Sequence, residues 1–251
     1  MMDRSLPGFA NARDLGGLPR DDGGKTVCGA IVRAETPRQL DPEARGRADQ
    51  FVRVIDLRSE HEAAAVRHPY FEHCGYRLRP LVDPRAEARH PTDAEATLGD
   101  VYQGSLSRNA ETIAAIMREI AIAPPGTVMV ACAAGKDRTG MIVALLLRLA
   151  GVTDEAICAD YHHSQWRLEE YFAAELAAIA DEGARERLRG RQRAEPANIM
   201  QMLDHIDHAY GSAESYLVAI GLTPDEIERL RRRLVPEGAA NPCDAAQQTK
   251  T

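Results

Sequence analysis

Nowhere in the 251 residues is there a run long and uncharged enough to span a bilayer, and the opening Met-Met-Asp-Arg-Ser-Leu-Pro-Gly lacks the apolar core of a signal peptide. No membrane span is expected, and a cytoplasmic location is. Also absent is any block of Lys and Arg interleaved with aromatic side chains. With a formal net charge of −7, this argues against a nucleic-acid partner. The five cysteines, at 28, 74, 132, 158 and 243, have no metal-type spacing, and their odd number fits a reducing compartment. His162 and His163 are adjacent and His205 and His208 share a helix face, but neither pair has a carboxylate or Cys at ligand spacing. No metal or other cofactor is therefore expected. No internal boundary is visible either. A hydrophobic content of 44% suffices for a sizeable core, so a single domain is read over 1–235, followed by a polar tail over 236–251 expected to be disordered.

The most informative segment is Cys132 to Gly140, reading Cys-Ala-Ala-Gly-Lys-Asp-Arg-Thr-Gly. Before it, Val128 to Ala131 is a short apolar run entered through the turn of Pro124, Pro125 and Gly126; after it, Met141 to Ala150 is almost wholly apolar and stops at Gly151. Strand, tight loop and helix start follow in order. Backbone N–H groups in such a loop converge on one point, and the helix dipole adds partial positive charge there, so a phosphate is the natural guest. Cys132 would lie beneath it as a nucleophile and Arg138 beside it. A Cys followed six residues later by Arg is weak evidence alone. The context adds Gly135 for a tight bend, Thr139 for a hydroxyl near the sulfur, and Gly140 for a helix start without a side chain.

Elsewhere, Ala30 to Ala34 reads as a strand, Asp41 with Pro42 caps a helix to about Asp49, and Val52 to Leu57 is a buried strand. Ser59 and Glu62 form a capping box for a short helix ending before Pro69, and Asp56 with Arg58 reads as a structural pair. Tyr76 to Val82 is a further strand, the polar stretch from Arg85 to Leu98 would suit a mobile lid, and Gly99 to Ile122 is helical. After the loop the chain is helical: from a Thr153 cap, over 169–180, over 197–210, and from Thr223-Pro224. Arg185 to Arg193 reads as a solvated helix face, and Tyr161 and Trp166 as packing residues. This order predicts an α/β fold with a central, mostly parallel sheet flanked by helices and a helical C-terminal half.

The loop resembles the His-Cys-x5-Arg-Ser/Thr signature of cysteine-dependent phosphatases and, more narrowly, the bacterial atypical tyrosine phosphatases. Asn11-Ala12-Arg13-Asp14-Leu15-Gly16-Gly17 resembles the opening of the same family, and Tyr210-Gly211-Ser212 with Gly221-Leu222-Thr223 its C-terminal helical region, so the resemblance spans about 6 to 235. It implies a tyrosine-phosphatase-like fold and hydrolysis of a phosphorylated protein or small phosphate ester. Ala131 departs from the pattern, standing where the family has His. This raises the alternative of a phosphate-binding pseudophosphatase, and otherwise an active enzyme with a less acidic thiol and a rate maximum at higher pH.

The expected chemistry starts with attack by the Cys132 thiolate in line on phosphorus to form a phosphocysteine, with Arg138 holding two equatorial oxygens through its planar fork. Ala133, Ala134, Gly135, Lys136 and Asp137 supply the cradle, Lys136 adding charge at its rim as in relatives with phosphoinositide activity. Thr139 hydrogen-bonds the sulfur. The proton donor to the leaving group is Asp83, which resembles the mobile acid of the wider superfamily, or Asp137 within the loop. Arg13 and Asp14 either reach the pocket or stabilise a turn. Phosphotyrosine on proteins is the first substrate reading, and a phosphoinositide or a nucleotide-like biosynthetic ester the second.

Overall fold

Five strands form one sheet in the order β1-β2-β5-β3-β4: β1 (Arg13–Asp14), β2 (Ile31–Glu35), β3 (Phe51–Asp56), β4 (Tyr76–Leu78) and β5 (Thr127–Cys132). Pairings β2/β5, β5/β3 and β3/β4 are parallel, and only the two-residue β1 is antiparallel. The computed structural model describes residues 6–37, 40, 42–90 and 95–235. Asp41, Asp93 and the tail over 236–251 lie outside them. The α/β class with a mostly parallel sheet is as expected.

Alternation along β5 divides the core into two. Val128, Val130 and Cys132 face a large cluster with the buried residues of α5 (Ala110–Ala121) and α6 (Asp137–Leu149). Met129 and Ala131 face a smaller cluster with Phe9, Val32, Phe51, Val54 and Tyr70. Almost every residue of α6 after Arg138 is buried, as its nearly unbroken apolar sequence requires. Each fully buried Leu or Ile there contributes about 1.5–3 kcal/mol relative to exposure. α6 is covered by α7 (Asp154–Arg167), α10 (Pro196–Tyr210), α11 (Ala213–Ala219) and α12 (Pro224–Leu234), while α10 also packs on α4 (Leu98–Arg108). A hairpin of α8 (Glu169–Ala177) and α9 (Glu182–Gln192) leaves and rejoins this layer between α7 and α10. Among the described residues no helix is long and apolar enough to cross a membrane.

Three expected elements change shape for local reasons. The strand over 76–82 ends at Leu78 because Pro80 has no N–H, although Arg79 N and Leu81 N still donate to Asp56 O and Leu57 O at 2.8 and 3.2 Å. The helix before β3 is a single α-turn, α1 (Pro42–Arg45), that tightens into a 3-10 turn from Gly46. The helical stretch over 99–122 is two helices, parted at Asn109 with φ −111° and ψ 23°. Asn109 Nδ2 donates to Glu87 Oε1 at 2.8 Å, and its Oδ1 accepts from Asp83 N at 2.7 Å. The described ends of the stretch read as a lid are thus fastened to α4: Arg108 pairs with Glu87 at 3.0 Å and Glu95 at 2.5 Å.

Ala131 is fully buried between its strand partners Ala34 and Asp56, on the face away from Cys132. An imidazole there would have to displace close-packed aromatic and branched side chains. Ala131→His should therefore lower unfolding free energy by about 1–3 kcal/mol in urea titration; a variant as stable as wild type would show that this face has room for a ring.

Candidate active site

Cys132 ends the central strand as a buried free thiol, and the next residues bend sharply. Gly135 takes φ +65°, and a Cβ there would meet Ala34 C and O at 2.5 Å, so both its backbone angle and its surroundings demand glycine. Each carbonyl of the bend points outward to a donor. Thr36 N donates to Cys132 O at 2.7 Å and Ala133 O at 3.2 Å, Asn11 Nδ2 to Ala134 O at 2.9 Å, and Arg33 Nη2 to Gly135 O at 2.7 Å. Gly140 N donates to Lys136 O at 2.9 Å, closing the first turn of α6. Among the described residues, the N–H groups from Ala133 to Thr139 have no backbone acceptor. A bend whose carbonyls are all turned outward presents its amides to the other side, where the helix start adds its partial charge.

The donors that cap the bend are themselves fixed by buried charge. Arg33 Nη1 donates to Asp160 Oδ2 at 2.6 Å and Arg13 Nε to Asp160 Oδ1 at 2.8 Å, all three side chains being almost fully buried. Arg13 Nη1 also donates to Asn11 Oδ1 at 2.7 Å, and the Glu35 carboxylate accepts from Ala10 N and Asn11 N at 2.5 and 2.9 Å. Arg13 is therefore a brace behind the cradle and not a phosphate ligand. Asp14 is turn chemistry, accepting from Gly16 N and Gly29 N. Gly140 lets α6 approach α7, since a Cβ would stand 3.2 Å from the Tyr161 ring. Asp160, in Ala-Asp-Tyr-His-His-Ser, carried no sequence signal beyond its place on a helix.

Arg138 is held by a residue read in the sequence only as a cap. Its Nη1 and Nη2 donate to Glu62 Oε2 and Oε1 at 2.6 and 2.7 Å. Glu62 also closes the expected capping box of α2 (Glu60–Ala65): Ser59 N donates to Glu62 Oε2 at 2.9 Å and Glu62 N to Ser59 Oγ at 3.2 Å. None of the residues of α2 is buried, so polar contacts hold it. Arg58 Nη1 caps its far end on Val66 O at 2.6 Å while Arg58 Nη2 donates to Asp56 Oδ2 at 2.7 Å, confirming that pair as structural. The Arg138 fork is thus engaged end-on. A phosphate would take the Nε proton and an outer terminal proton instead of the two forward ones. Thr139 Oγ1 is buried without a hydrogen-bond partner among the described residues, so the expected bond to the Cys132 sulfur is not made and its hydroxyl is unspent.

Lys136 departs from the expected rim charge. Its side chain is 2% exposed, and Nζ donates to Asp137 Oδ1 at 2.5 Å, Arg191 O at 3.1 Å and Arg193 O at 3.3 Å. Three oxygens draw the ammonium inward toward the end of the α8–α9 hairpin. Asp137 Oδ1 also accepts from the Tyr102 hydroxyl, which lies 2.8 Å from that of Tyr161, so Tyr161 is more than packing. Asp83 caps the short α3 (Pro84–Glu87), accepting from Arg85 N at 2.8 Å.

Strand, bend and helix thus bring a buried Cys and an Arg six residues on to one loop. The sequence profile of the tyrosine phosphatase family matches residues 4–236, and the chain belongs to that family. It is 34% identical over 148 residues to a tyrosine-protein phosphatase of Nostoc commune, a match covering 57% of this chain and only half of that protein. A Cupriavidus necator protein named for a tyrosine-protein phosphatase is 28% identical over 228 residues, 86% of this chain and 82% of its own length. The triple specificity protein phosphatase PtpB of Mycobacterium tuberculosis is 31% identical over 276 residues, 92% of this chain and 98% of its own length.

Bonded chiefly to Arg138, and despite partial burial, the Glu62 carboxyl is brought down to about 2. A carboxyl lowered from an unfolded value of about 4.3 stabilises the fold above that pH and loses the contribution as pH falls through its folded value. The difference in urea midpoint between wild type and Glu62→Gln should therefore be present at neutral pH and close as pH falls from about 4.5 toward 2. Glu62→Gln should also lower kcat/KM at neutral pH by about tenfold through a less fixed Arg138. A midpoint difference independent of pH would contradict the pairing.

Proposed function

We propose that this chain hydrolyses phosphate monoesters through a phosphocysteine, with protein phosphotyrosine as substrate. The observation that carries the reading is the cradle. From Cys132 to Lys136 every carbonyl is capped from outside, so the amides above the thiol are left for an anion. A dianionic phosphoryl group seated there takes charge-assisted bonds from these amides and from Arg138. Cys132 Sγ attacks phosphorus as the ester oxygen departs. Water then attacks the phosphocysteine, releasing phosphate and the thiolate, toward which the unpaired Thr139 hydroxyl can turn to donate a hydrogen bond. Because residues from Asn11 to Arg193 all touch this one loop or its neighbours, we take the catalytic unit to be a single domain over 1–235.

For the proton, Asp137 is now the better supported of the two aspartates. Both of its donors fall on Oδ1, its side chain is 40% exposed, and Oδ2 carries no hydrogen bond among the described residues. As an acid it would protonate the departing oxygen and as a base take the proton of the attacking water. Asp83 stays as the second reading. For the substrate, a recess of about 180 Å³ lies beside Ala133, walled by Thr36, Arg58, Glu62, Ala65, Val66 and Tyr171. Its apolar part, from Ala65, Val66 and the Tyr171 ring, can take an aryl group, while Arg58 and Glu62 are already engaged with Asp56 and Arg138. The names of the Nostoc commune and Cupriavidus necator relatives point the same way.

Phosphate release from phosphotyrosyl peptides should exceed that from inositol phosphates and nucleotides, and Cys132→Ser should abolish it. A strong preference for one small molecule would overturn the protein reading, and no turnover by wild type would favour the pseudophosphatase. Asp137→Asn should slow phenyl phosphate at least about tenfold more than p-nitrophenyl phosphate, whose leaving group needs no proton. The same selectivity in Asp83→Asn, absent from Asp137→Asn, would move the acid to Asp83.

A further inference from the structure

We propose that Tyr102, backed by Tyr161, is a positioning residue that aims the Asp137 carboxylate at the leaving group. The inference rests on the reading of Asp137 as the proton-transfer group. Tyr102 comes from α4 and Tyr161 from α7, two elements that otherwise contribute nothing directly to the loop's reacting atoms. Both rings are buried and meet edge-on, with centroids 6.3 Å apart and an interplanar angle of 85°. The packing leaves their hydroxyls little freedom.

The directions of the hydrogen bonds follow from counting protons. A phenol has one proton to give. Asp137 Oδ1, a carboxylate oxygen, can only accept, so the Tyr102 proton is spent on it. The 2.8 Å contact between the two hydroxyls must then run from Tyr161 to Tyr102. The chain reads Tyr161 to Tyr102 to Asp137, both links pointing at the carboxylate. Lys136 Nζ donates to the same oxygen from the other side at 2.5 Å.

Two donors on one oxygen anchor a carboxylate at that end and fix the rotation about its Cβ–Cγ bond. Oδ2 is then held in one place without being spent. A carboxylate free to rotate would present its second oxygen only part of the time, and proton transfer needs heavy atoms within about 2.6–3.2 Å. Burial pushes the Tyr102 hydroxyl well above its ordinary range, and the nearby Asp137 carboxylate adds to this, so Tyr102 stays a donor throughout the working pH range. It orients Asp137 and does not itself exchange the proton.

The test is a double-mutant cycle between Tyr102→Phe and Asp137→Asn, read on phenyl phosphate and p-nitrophenyl phosphate. Phe keeps the ring packing and removes only the hydroxyl. Tyr102→Phe should lower kcat on phenyl phosphate by about tenfold, leave KM within about twofold, and spare p-nitrophenyl phosphate. The rate of Cys132 alkylation by iodoacetate should match wild type, since a collapsed loop would change it. In the Asp137→Asn background, Tyr102→Phe should have no further effect. If the two losses multiply, Tyr102 acts independently of Asp137 and the proposal is wrong. If Asp137→Asn shows no leaving-group selectivity, the assignment of Asp137 fails first and takes this inference with it. Should Tyr102→Phe not fold, Tyr161→Phe removes the donor into Tyr102; a kcat loss selective for phenyl phosphate supports the proposal, and a wild-type profile overturns it.

Discussion

A backbone cannot present a ring of N–H groups to an anion without turning its carbonyls the other way, and buried carbonyls need donors. The structure around the loop is organised by that requirement. Thr36 N and Asn11 cap three of these carbonyls, and Arg33 caps Gly135 O with one arm of its guanidinium while the other is held by Asp160, its side chain almost entirely buried. Burying a guanidinium is costly unless it is paired, and the Asp160 carboxylate is shared by Arg33 and Arg13. Gly135 and Gly140 belong to the same constraint. One lets the bend lie on β2, and the other lets α6 close onto the Tyr161 ring.

Charge on the reacting side is handled differently. Arg138 and Glu62 are partly exposed and meet end-on, so the guanidinium is oriented while part of it stays open. The carboxylate comes from a short helix with no hydrophobic anchorage, held at one end by its own capping box and at the other by Arg58. A cap that is ordinary helix chemistry thus also aims Arg138. The second acceptor at the site, Asp137, is anchored from the helical layer, so α4, α7 and the α9–α10 junction all converge on the loop through Asp137 and Lys136.

How much of this was legible depended on distance along the chain. The strand, bend and helix around Cys132, the capping box at Ser59, the helix start at Thr223-Pro224, and the Asp56–Arg58 pair are local, and each was read within a few residues of where it stands. Errors were local too: Pro80 shortened a strand, and Asn109 split one helix into two. Lys136 was misplaced because a loop lysine is ordinarily solvated, and only the folded chain brings the carbonyls of Arg191 and Arg193 within its reach.

The sequence by itself determined the family, since Cys132, the glycine-bearing bend and Arg138 lie within nine consecutive residues and the geometry of the bend follows from backbone rules. It also determined the α/β order, through the alternation of apolar runs and caps. Only the tertiary structure decided what orients those groups. Glu62 reaches Arg138 across 76 residues, Asp160 reaches Arg33 across 127, and Tyr102 reaches Asp137 across 35. Such pairings leave no periodic trace, because they are set by where whole elements pack and not by the conformational preferences of the residues that make them.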